Sequence, residues 1–160
     1  MTLKQNTLLV IGVIIITAGF AGGYYLSYSQ LSNAADVMFE EATVVSTKLE
    51  NVTLIPFKGD LRMTYSVRNP TEMEIVLNMD ADLYYGDAFV GHVVSTDQVL
   101  PPSTRTDFVV KTSIEGALAE VFEQGSGKSW SLEGTTKFSG SAFGFIPVTV
   151  TKTGVLSAST

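Results

Sequence analysis

The chain carries one imidazole, His92, and no thiol. The absence of cysteine excludes disulfide staples, Cys-based zinc sites, thiol nucleophiles and haem attachment. His92 sits beside Gly91 in an alternating stretch. A metal site or an acid–base pair would need partners there that no local spacing supplies. It reads as a solvent-facing strand residue. Asp80, Asp82 and Asp87 form the densest acidic group, and a hard cation such as calcium favours several oxygen ligands at close range. The run lacks the Asp-x-Asp-x-Asp-Gly spacing and the distal Glu of a calcium loop. These carboxylates read as the wet face of a strand. Gly125-Ser126-Gly127-Lys128-Ser129 resembles the end of a phosphate-binding loop, but Phe122 stands where the first glycine is needed. The order expected around it, helix then strand, also inverts the strand–loop–helix order that cradles phosphate. No Gly-x-Ser-x-Gly elbow occurs. The expectation is therefore a protein without catalytic residues, cofactor or metal. Asn51-Val52-Thr53 is a sequon, which makes Asn51 a candidate glycosylation site if it lies outside the cytoplasm.

Position along the chain is more informative than reactive groups. Ten basic against sixteen acidic residues leave a net charge of −6 over 160 residues, which excludes the basic face a nucleic-acid binder needs. The mean hydropathy is high at +0.26. Much of it is concentrated at one end, where Lys4 is the only charged side chain from Met1 to Leu26. Thr7 to Leu26 is an uncharged run that a helix would stretch over roughly 30 Å, the thickness of a bilayer core. Tyr24, Tyr25 and Tyr28 cluster at its far end, where amphipathic rings favour the headgroup zone. Lys4 precedes the run while Asp36, Glu40 and Glu41 follow it. The positive-inside rule then puts the N-terminus in the cytoplasm and the rest outside. The rival reading is a cleaved signal peptide with small residues at Ala21 and Gly23, or at Ser32 and Ala34. An uncleaved anchor is preferred, because the apolar run outlasts a signal core. Gly19 and Gly23 form a small-xxx-small pair and are candidates for packing against another helix.

Ser27 to Asp36 is polar and small, and reads as a juxtamembrane stalk. Beyond it the chain alternates apolar and polar residues, as antiparallel strands with one buried face do. Leu61, Met63, Tyr65 and Val67 keep that beat, and so do Ile75, Leu77, Met79, Ala81, Leu83 and Tyr85. Further strands are expected over 44–54, 89–94, 106–112, 129–138 and 143–151. Asn69-Pro70, Gly86-Asp87, Pro101-Pro102 and Gly140 mark turns or strand ends. Ile114, Ala117, Leu118, Val121 and Phe122 instead follow a helical stripe, with Thr112 to Glu115 as its capping box and Gly125 as its stop. About seven strands and one short helix point to an antiparallel β-sandwich, with Trp130 in its core. The organisation expected is an anchor over 1–26, a stalk over 27–39, a sandwich over 40–153 and a loose tail over 154–160. Residues 40–152 should fold alone as a mostly β unit.

The motifs in that region follow a recognisable order. Tyr65-Ser66-Val67-Arg68-Asn69-Pro70 is a strand ending in an Asn-Pro turn. Paired strands follow from Ala81 to Tyr85 and from Phe89 to Val94. Leu100-Pro101-Pro102-Ser103-Thr104 then leads into Asp107 to Thr112, and Ser129 to Gly134 comes last. From about Leu61 to Lys152 this order resembles the late embryogenesis abundant type 2 family, also called the water-stress and hypersensitive-response domain. Thr71 departs from the second Asn that many members carry. The resemblance implies a fibronectin-like sandwich with a helix at one side, often behind a single membrane helix. It also implies stress protection or interactions at the cell envelope, and no catalytic residues. Asn69 and Pro70 are expected to form a structural turn, with Asn69 capping it.

The function expected is a non-catalytic, membrane-anchored interaction or stress-protective module outside the cytoplasm. Its partners would be the lipid bilayer and other proteins of the membrane or envelope, with no nucleic acid among them. The alternative is a structural accessory subunit of a larger membrane complex.

Overall fold

The computed structural model describes residues 2–54, 57–115 and 129–158. One helix is followed by seven strands: α1 (Thr2–Glu41), β1 (Thr43–Leu54), β2 (Phe57–Arg68), β3 (Ile75–Tyr85), β4 (Ala88–Leu100), β5 (Arg105–Glu115), β6 (Trp130–Ala142) and β7 (Ile146–Ala158). The strands form two antiparallel sheets, ordered β1-β2-β5 and β4-β3-β6-β7. Hairpins join β1 to β2, β3 to β4 and β6 to β7, and the other links cross between sheets. This is the mainly β, antiparallel two-sheet sandwich expected from the alternation. Leu61, Met63, Tyr65 and Val67 of β2 face Ile75, Leu77, Met79, Ala81, Leu83 and Tyr85 of β3 across the core, and Trp130, Leu132 and Phe138 of β6 complete it. Burying one face of each strand removes these side chains from water at roughly 25 cal/mol per Å², the main term that stabilises such a fold.

Several expectations change. The helix does not end near Leu26. It continues without a break to Glu41, so the segment 27–39 is no stalk. Leu31, Ala34, Ala35 and Met38 stand at i, i+3, i+4 and i+7 and are buried in the core. They pack on β6 and β7, Phe39 meets the Phe138 ring edge-on at 5.9 Å, and Lys152 holds Asp36 at 2.8 Å. The four-stranded sheet is one strand wider than its partner, and the second half of α1 covers the surplus. A unit starting at residue 40 would therefore lack four core side chains.

The end of the chain differs too. Residues 154–158 are not a loose tail but the last part of β7, paired from Gly154↔Gly134 to Ala158↔Trp130. Without them the N–H and C=O groups along the outer edge of β6 would stand unpaired. Gly140 ends no strand; it lies inside β6 opposite Val148, and the chain reverses at Phe143-Gly144. The proposed short helix fails at its start. Thr112 to Glu115 belong to β5, where Phe108, Val110 and Ile114 keep a period of two. Ala117, Leu118, Val121, Phe122 and Gly125 lie outside the described residues.

Candidate functional site

The described residues gather their distinctive chemistry in three places. The first is the turn after β2. Asn69 is fully buried, and its backbone N–H donates to the Thr104 carbonyl at 2.9 Å. Its Nδ2 amide donates to the carbonyls of Met73, Leu100 and Pro101 at 2.8, 3.0 and 3.1 Å, so two hydrogens are shared among three acceptors. Its Oδ1 accepts from the Thr71 N–H at 3.0 Å and the Thr71 hydroxyl at 2.8 Å. One amide thus satisfies the β2–β3 crossover and the β4–β5 connection at once. Pro70, next in line, has no N–H to leave unpaired. Thr71 supplies both donors to Asn69. These contacts are structural in kind, since the Asn69 side chain is buried with both its amide and its carbonyl bonded.

The second place is the outer face of the larger sheet. Asp82 and His92 are register partners, and His92 Nδ1 lies 2.9 Å from Asp82 Oδ1 while Nε2 lies 3.3 Å from Asp80 Oδ1. Both partners reach His92 across the strand pair, where no spacing along the chain reveals them. The Asp82 hydrogen bond raises the His92 pKa above 6.5, desolvation opposes it, and the charges of Asp80 and Asp82 add to the rise. Glu133, opposite Asp82 on β6, makes this face acidic. The imidazole is about half exposed, so the pair is a screened surface contact. Among the described residues no three His, Asp or Glu side chains are grouped so as to hold a metal ion. Asp87 lies apart, in the two-residue turn between β3 and β4. Lys128 and the glycines before it lie outside the described residues, and Ser129 directly precedes β6.

The third place is the junction of helix and sandwich. Val10–Glu41 is long and apolar enough to cross a membrane. The two glycines proposed for helix packing differ in surroundings. Gly19 has open space around it, whereas a Cβ on Gly23 would clash with the tip of the Phe143 ring. The β6–β7 hairpin already occupies the face that Gly23 offers. Asn51 is exposed at a bulge in β1, with φ +54°, and its amide donates to Asp60 Oδ2 at 2.7 Å. Inside the core, the Tyr65 hydroxyl donates to the Met63 sulfur at 3.6 Å, and burial pushes its pKa far up.

In sequence, no family profile matches this chain and no curated protein matches it. Two solved structures are similar in arrangement. One is a protein from Archaeoglobus fulgidus, 14% identical, with a TM-score of 0.38, covering 74% of this chain and 98% of its own. The other is a candidate late embryogenesis abundant protein, 16% identical, with a TM-score of 0.29, covering 91% of this chain and 87% of its own.

Proposed function

We propose that the chain is a single-pass membrane protein that displays a non-catalytic sandwich outside the cytoplasm, as an interaction or stress-protective module of the late embryogenesis abundant type 2 kind. The observation that carries this reading is the continuity of α1. The same helix supplies the uncharged span and, without a break, the core side chains Leu31, Ala34, Ala35 and Met38. Signal cleavage after Ala34 would cut through that buried stripe and remove Leu31 and Ala34 from the core, which argues for a retained anchor. The short motifs from Tyr65 to Gly134 support the family assignment. The inward, saturated polar groups support a role through surface rather than reaction. Lys4 before the span and the acidic residues after it favour an outside sandwich.

Two measurements test this. Protease added to intact cells should digest a C-terminal tag and spare an N-terminal one; the reverse pattern would overturn the orientation. Vesicles bearing the full chain should preserve a desiccation-sensitive enzyme through drying better than vesicles bearing the helix with an unrelated sandwich. Equal loss in both would overturn the protective role.

A further inference from the structure

The β6–β7 hairpin has a tip that an exposed turn does not need. The β3–β6 ladder stops at Val76↔Ser139, whereas β6 and β7 stay paired to Ala142↔Ile146. The hairpin therefore projects about three residues, roughly 10 Å, beyond the body of its sheet. It ends in Phe143-Gly144-Phe145, whose rings are 52% and 69% exposed. No charged residue occurs from Phe138 to Thr151. The tip is also conformationally costly. Phe143 and Gly144 both have positive φ, +54° and +77°, and the Phe145 N–H donates to the Ala142 carbonyl at 3.2 Å. A turn of this kind favours Asn or Asp where Phe143 stands, and a bulky side chain there is strained. Such strain persists where a side chain has a use.

The position of the tip supplies that use. Phe143 stacks edge-on against Phe20 with centroids 5.4 Å apart and lies over Gly23. Phe20 is six residues before Leu26, so the contact lies roughly 9 Å down the helix from the end of the uncharged run. It falls below the exposed Tyr24, Tyr25 and Tyr28, rings suited to the headgroup layer. Ile16, Gly19, Phe20, Phe143 and Phe145 line an open, almost wholly apolar groove between helix and hairpin.

We propose that the β6–β7 tip inserts among the lipid acyl chains beside α1, a second membrane contact that seats the sandwich on the bilayer at a fixed tilt. The occupant of the groove is a lipid tail. Exposed aromatic rings held at the depth of a membrane span meet hydrocarbon, and the facing edges of β6 and β7 stay hydrogen-bonded to each other down to Ala142↔Ile146. The proposal rests on the reading of α1 as a membrane span.

Because the chain lacks cysteine, single-site labelling tests it. Phe145→Cys, Asp87→Cys in the opposite hairpin and Ile15→Cys within α1 would each carry an environment-sensitive fluorophore, on the full chain in phosphatidylcholine vesicles with or without spin-labelled lipid tails. The label at 145 should emit to the blue of the label at 87 and lose intensity to shallow spin labels, while the label at 87 does not. A water-like, unquenched signal at 145 beside a quenched one at 15 would overturn the insertion alone. No quenching at 15 would overturn the membrane span, and the insertion with it. A blue-shifted but unquenched label at 145 would mean that protein, such as a second copy of the chain, covers the tip, and would also overturn it.

Discussion

Two hairpins stand at opposite ends of the larger sheet and solve one geometric problem with different residues. Between β3 and β4 the chain reverses at Gly86-Asp87, with Gly86 at φ +62° and its N–H donating to Ser129. Between β6 and β7 it reverses at Phe143-Gly144, with an aromatic residue in the left-handed conformation. The first is built from residues that turns favour and water tolerates. The second sets aside that preference to place two rings next to α1. Since both turns close comparable strand pairs, turn geometry does not account for the difference. What distinguishes the ends is the helix, which runs along one and is absent from the other.

The comparison can be broken at several points. The largest effect is expected where α1 enters the core. Met38→Ala should lower stability by about 2–5 kcal/mol, the range for truncating a buried Met. A negligible change in a detergent-solubilised melt would mean the helix merely lies against the sandwich. Next is the Asn69 clasp at the helix-bearing end. Asn69→Ala should cost about 2–4 kcal/mol, because the carbonyls of Met73, Leu100 and Pro101 and the donors of Thr71 lose their partner together. That exceeds the 0.5–2 kcal/mol typical of a single lost cap, and denaturant titration of the full chain separates the two. The two turns should then respond alike in stability. Gly144→Ala and Gly86→Ala should each cost about 1–2 kcal/mol, because both put a Cβ into left-handed backbone. A much larger loss at one end would show that its backbone, and not only its side chains, is specialised.

The smallest effect belongs to His92, half exposed on the outer face. Its folded pKa is raised, so the contribution of its pair with Asp82 is fully present below about pH 6.5 and is lost as pH rises through the folded value. Melts of the parent and of His92→Gln should differ more near pH 5 than near pH 9. The opposite trend would show that Asp80 and Asp82 do not favour the imidazolium.

β3 was legible because its buried residues alternate from Ile75 to Tyr85, and in β2 Leu61, Met63, Tyr65 and Val67 are buried as their spacing indicates, although Ser66 between them is buried too. The second half of α1 was harder to read. Its stripe has a helical period, but two of its four members are alanines, set among Ser and Asn, and weak apolarity hides the face. Ile114 satisfied two periods at once, and pairing with Gly59 of β2 decides for the strand. The hairpin apex was hidden because Gly140 looks like a terminator while Phe143 does not look like a turn residue. At Asn69 the Pro that follows signals a turn. The carbonyls of Leu100 and Pro101, however, come from 31 and 32 residues away, and only the tertiary structure brings them there. The partners of His92 were hidden for the same reason.

The central claim is that one unbroken helix joins the membrane span to the sandwich core. Hydrogen exchange of the full chain in lipid nanodiscs tests it most directly, through the amides of residues 27–41. The account predicts protection there comparable to that of β3 and β6, strongest at Leu31, Ala35 and Met38. Exchange of 27–39 at the rate of an unstructured chain, with β3 and β6 still protected, would contradict it and restore a flexible stalk.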